Sequence, residues 1–145
     1  MEQEKKYELL KFVDGELELE VNVSPKQKTI WLILDEIALL FGRDKSVISR
    51  HIKNIFLEQE LYENSVVAKN ATTANDGKRY IVSYYNLDMI ISIGYRVNSK
   101  RGVTFRKWAN KILKDYFEDD FYTLSLKYSK LVFFKKNSFI FKWTN

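Results

Sequence analysis

Lys45, Ser46, Ser49, Arg50 and Lys53 recur at intervals that place them on the polar face of one helix. Their types are those that reach nucleic acid. Arginine binds guanine through two hydrogen bonds, serine donates to base edges or phosphates, and lysine neutralises phosphate. Arg43 precedes this group and would lie beside a phosphate backbone. Lys78 and Arg79 follow the turn signal Asp76-Gly77. Lys100 and Arg101 open a later helical stretch, where free backbone N–H groups favour an anion. These ten residues are the candidate contacts to double-stranded DNA. The plain alternative for each group is a solvated basic surface.

Other chemistries find little support. The chain has no cysteine, which excludes disulfides, thiolate metal sites and cysteine nucleophiles. It has one histidine, His51, which excludes multi-histidine metal sites. His51 has no carboxylate placed beside it and reads as a packing or phosphate-side residue, not a catalytic base. Asp115, Glu118, Asp119 and Asp120 could suggest a metal site, but a charge run ending a helix is usually solvated. No glycine-rich phosphate loop occurs. The expectation is a protein without catalytic activity, cofactor, metal or small-molecule substrate.

The charge distribution agrees with a polyanionic partner. The 145 residues carry a formal charge of +5. Residues 1–30 hold five basic and seven acidic groups, whereas residues 43–114 hold fourteen and six. Residues 121–145 add five lysines and no acid. No apolar run approaches the ~20 residues of a membrane span. The polar start, Met1 to Lys6, does not resemble a signal peptide. A cytoplasmic location is expected.

Several elements must position the candidates. Tyr7–Val13 and Glu16–Val23 predict a hairpin around Asp14-Gly15, because glycine accepts the positive φ of a tight turn. Leu17, Leu19, Val21 and Val23 alternate with polar residues, as a half-buried strand requires. Ser24-Pro25 ends that strand, and Thr29–Leu32 predicts a third. A helix then carries Ile37, Ala38, Leu40 and Phe41 inward and ends at Gly42, with Arg43–Lys45 as the connection. Ser46 opens the next helix, whose apolar face is Val47, Ile48, Ile52, Ile55 and Phe56. A second hairpin is expected from Ser65–Lys69 and Lys78–Tyr85. Asn86 caps a helix from Leu87, residues 98–102 break the pattern, and a longer helix covers about residues 103–117.

The spacing in residues 34–53 is that of a helix-turn-helix. Ala38 is small where two helices cross, Gly42 allows the sharp turn, and Ile48 anchors the second helix. Such a second helix lies in the major groove with its N-terminal residues nearest the bases. The following hairpin reads as a wing or, alternatively, as a sheet edge. The expected fold is therefore α+β: a winged helix-turn-helix-like domain with an N-terminal β-hairpin and C-terminal amphipathic helices. The recognition helix spans about 45–56 and the wing about 72–80.

The chain also resembles the N-terminal region of the bacterial virulence RhuM family. The residues that carry the resemblance are Trp31-Leu32, Ile37-Ala38, Leu40–Phe56, Ser65, Val66, Ala68 and Lys69, and Asp76–Lys78. Tyr84–Asp88, Ile91–Val97, Ser99–Gly102 and Phe105–Ala109 continue it. The plan is similar, more distantly, to BRO-type and KilA-type DNA-binding domains. The resemblance implies a bacterial protein, often carried near restriction or mobile-element genes, with a DNA-binding role; nucleoid association is expected if it binds DNA. Ile33 stands where the family has a polar residue, which removes an N-cap, and Leu39 stands where a polar residue is usual.

The resemblance is read as ending near Phe117. This divides the chain into a domain, 1–117, and an aromatic, basic tail, 118–145, consistent with a truncated or frame-disrupted relative. The expected function is a double-stranded DNA-binding regulator or anchoring module, compatible with a homodimer. The alternative is a protein-interaction module or a non-functional truncated relative.

Overall fold

Alternating apolar residues and two glycine turns build most of the sheet. In the computed structural model, residues 8–116 are described. Strands β1 (Glu8–Asp14) and β2 (Leu17–Ser24) pair antiparallel around Gly15, whose φ is +62°. Strand β3 (Thr29–Ile33) pairs antiparallel with β2. The chain then leaves the sheet through α1 (Leu34–Phe41), α2 (Lys45–Leu57) and the single turn α3 (Glu63–Val66). It returns as the hairpin β4 (Val67–Thr73) and β5 (Arg79–Asn86), with β5 against β3 and β4 at the edge. The order is β1-β2-β3-β5-β4, and every pairing is antiparallel. Helices α4 (Leu87–Val97) and α5 (Lys100–Tyr116) complete the described chain.

The architecture is thus α+β, with a five-stranded sheet and five helices among the described residues. The core is built from the inward residues of β2 and β3 and the apolar stripes of the helices. Leu17, Leu19, Val21 and Val23 are buried together with Ile30, Leu32, Ile37, Leu40, Ile48 and Ile55, in the alternation and helical periods read from the sequence. Helix α5 is fastened to β1 by aromatic contacts. The Phe12 ring meets Phe105 edge-on at 5.3 Å and Trp108 at 5.4 Å.

Three local expectations are revised. Residues 65 and 66 belong to the helical turn α3, not to a strand. Ser65 donates its hydroxyl to the Tyr62 carbonyl, and the strand begins at Val67. Helix α2 begins at Lys45, because its cap is Asp44 and not Ser46. Helix α5 begins at Lys100, so only Asn98, in the left-handed conformation, and Ser99 interrupt the helices after α4. Gly102 lies inside that helix for a packing reason. A Cβ there would stand 3.4 Å from the Phe41 ring, and one at Gly94 would stand 3.2 Å from it. The two glycines let α1, α4 and α5 close around Phe41.

Candidate nucleic-acid interface

Two local devices aim α2. Gly42 takes a left-handed conformation, φ +62°, and its N–H bonds back to α1. Asp44 then caps α2 by accepting the Ser46 backbone N–H at 3.0 Å and the Ser46 hydroxyl as well. Ser46, expected at the DNA, is therefore joined to the cap. These bonds hold the Asp44 carboxyl below its ordinary pKa of 3.8. A depressed acid stabilises the fold above its unfolded pKa and loses that contribution as pH falls through the folded value. Asp44→Ala should lower the melting temperature at neutral pH, and thermal melts should show the gap narrowing below pH 3.8. A gap independent of pH would mean that the charge is immaterial.

Arg43 is exposed, yet its guanidinium lies against backbone carbonyls. Its guanidinium donates to the carbonyls of Phe41 and Gly42, each at 3.3 Å, and of Val97 at 3.1 Å. It joins the ends of α1 and α4, carbonyl-rich termini that attract a cation. Arg43→Ala should destabilise the fold by about 1–2 kcal/mol in urea unfolding, whatever happens to binding. Lys45 pairs with Asp35 at 3.5 Å on an exposed surface, a contact that a phosphate could replace. Ser49, Arg50 and Lys53 are exposed and form no ion pair among the described residues. The N-cap of α1 conforms to expectation. Ile33 offers no side-chain acceptor, and the Glu36 carboxylate accepts the Ile33 N–H at 2.9 Å instead.

The β4–β5 hairpin is exposed from Asn70 to Ile81. Its tip is nonetheless well built. Asp76 accepts the Lys78 N–H and the Tyr80 hydroxyl, each at 2.9 Å, and Gly77 has φ +78°. Lys78 and Arg79 therefore stand beside a hydrogen-bonded, exposed tip. The cluster at Lys100 and Arg101 differs from expectation. The Arg101 guanidinium bonds Asp14 at 3.2 Å and ties α5 to the β1–β2 turn. The N–H groups of Arg101 and Gly102 are taken by Ser99. Lys100 remains exposed at the helix start.

Sequence reasoning missed one ionic cluster. Arg96 donates to both Glu58 and Glu60, which joins α4 to the end of α2. Arg96 is 38 and 36 residues from the two glutamates, and no local signal links them. His51 lies near this region, and burial together with the charges of Arg50, Arg96 and Arg43 pushes its pKa down. It is therefore neutral near pH 7 and adds no charge to the α2 face. Among the described residues no cluster of His, Asp or Glu could hold a metal ion. The acidic run beyond Asp115 lies outside the described residues. No helix among them is long and apolar enough to cross a membrane.

The class defined so far is an α+β domain with helices on one side of an antiparallel sheet, an exposed basic face on α2 and an exposed hairpin. The chain belongs to the virulence protein RhuM family, whose profile matches residues 65–139, just over half of its length. The match begins at Ser65 and so takes in the hairpin, α4 and α5 but not α1 or α2. It runs beyond Phe117 and includes residues 118–139. No curated protein and no solved structure matches the chain.

Proposed function

We propose that this protein is a non-catalytic, double-stranded DNA-binding module. The observation that supports it best is the surface of α2, where Ser49, Arg50 and Lys53 stand exposed without ion-pair partners among the described residues. In this reading α1, Gly42 and α2 act as a helix-turn-helix, with α2 in the major groove. The β4–β5 hairpin acts as the wing, and Lys78 and Arg79 meet phosphates beside the groove. Ser46, Arg43 and Arg101 serve the scaffold, whereas Lys45, Ser49, Arg50, Lys53, Lys78, Arg79 and Lys100 remain available to DNA.

The test is binding of the full chain to random duplex DNA across a salt series. Phosphate contacts release counterions, so affinity should fall steeply with salt. Salt-independent binding, or no binding at low salt by folded protein, would overturn the reading. A second reading is favoured by Leu39. It is 54% exposed on α1, beside an open surface lined by Asp35, Ala38, Gly42, Arg43, Asp44 and Lys45. That surface would suit a protein partner with an apolar contact at Leu39, a contact that would change little with salt.

A further inference from the structure

The helices cover one face of the sheet, and the opposite face is patterned unevenly. Toward β1 it is mixed, with Lys11 and Glu18 paired at 3.5 Å, Glu20 exposed beside them, and Leu9 and Val13 exposed on the same face. At its centre the chemistry changes. Asn22, Trp31, Ala68, Asn70 and Tyr84 line a half-open recess of about 100 Å³. The register brings them together from four strands. Asn22 lies opposite Trp31, Ala68 lies opposite Tyr84, and β3 and β5 are neighbours.

Three features indicate what this recess would hold. Its walls include two aromatic rings. The Trp31 indole is already fixed by donating to the Gln27 amide at 2.9 Å, so little ordering remains when a ligand stacks on it. The Asn22 and Asn70 carboxamides have no hydrogen-bond partner among the described residues. Each offers a donor and an acceptor in one plane, the arrangement that reads adenine and other bases in pairs of hydrogen bonds. No charged side chain lines the recess, so it has nothing to hold a phosphate or a carboxylate.

We propose that this recess binds a single nucleobase, stacked against Trp31 and Tyr84 and hydrogen-bonded by Asn22 and Asn70. Base–aromatic stacking tolerates any base, and the amides supply the preference. The base could come from a free nucleoside or from an unpaired nucleotide of a single strand, and its recognition chemistry is the same. The site lies across the sheet from the helices and does not depend on duplex binding by α2.

The experiment titrates the full ¹⁵N-labelled chain with adenosine, cytidine and uridine, and separately with single-stranded oligonucleotides of the same bases. The expected result is a saturable shift of the Trp31 indole N–H and of the Asn22 and Asn70 side-chain amides. The Asn22→Ala/Asn70→Ala variant should bind about fivefold or more weakly with the rest of its spectrum unchanged. Trp31→Phe should retain binding, and Trp31→Ala should lose it. An oligonucleotide that binds more tightly than its nucleoside assigns the site to unpaired strands, and equal affinity assigns it to free nucleosides. Absence of saturable shifts up to millimolar ligand would overturn the proposal, as would identical binding by the double asparagine variant.

Discussion

Replacing Arg50 and Lys53 together with alanine should weaken duplex DNA binding by about 2–4 kcal/mol, roughly 30-fold to 1000-fold. The same change should flatten the dependence of log affinity on log salt by about two units if each side chain neutralises one phosphate. Both side chains stand on the exposed face of α2, opposite the buried Ile48, Ile52 and Ile55. Their removal leaves no cavity and breaks no described ion pair, so the melting temperature should stay nearly constant. Lys26→Ala, in the exposed β2–β3 connection, provides the control and should leave affinity unchanged. Retained affinity and an unchanged salt slope in the double variant would remove α2 from the interface. The hairpin would then be tested through Lys78 and Arg79.

Phe105→Ala should be the most damaging single truncation for the fold, with a loss of about 3–5 kcal/mol. The side chain is 1% exposed and sits between β1 and the rest of α5. Its ring lies 5.3 Å from Phe12 and 5.6 Å from Trp108, so its removal opens a cavity and breaks two aromatic contacts. A domain of this size has a total stability of about 5–15 kcal/mol, so the variant should unfold at much lower urea concentration. Ile81→Ala makes the contrast. Ile81 is 74% exposed on the hairpin, and its truncation should change stability by less than about 0.5 kcal/mol. Urea unfolding of both variants checks the pair. A small effect at Phe105 would mean that α5 is not fastened to the sheet through this cluster.

The elements that were legible in the sequence are those set by local chemistry. Strict alternation from Leu17 to Val23 can bury only one side of a strand, and β2 does so. Gly15, Gly42 and Gly77 all adopt the positive φ that their turns require. Asn86 caps α4 by accepting the Met89 N–H, since a short carboxamide reaches the N3 amide from that position. The basic face of α2 was legible for the same reason, because helical period alone separates Arg50 and Lys53 from Ile48 and Ile52.

What could not be read there depends on partners distant in the chain. Arg43, Arg101 and Arg50 have the same chemistry in the sequence, yet their roles diverge. Arg43 meets the Val97 carbonyl and Arg101 meets Asp14, while Arg50 meets nothing described. A guanidinium binds whichever acceptor the fold brings near, and only the tertiary structure brings one. The start of α5 moved for a similar reason. Glycine discourages a helix by about 1 kcal/mol, but at Gly102 the missing side chain makes room for Phe41. The recess at Trp31 was likewise invisible, because its five residues come from four strands and meet only through the register. Local sequence determined the strands, turns, caps and the polar face of α2, since each depends on neighbours within a few residues. The tertiary structure decided which cations serve the scaffold and which face solvent, since that depends on acceptors supplied from elsewhere in the chain.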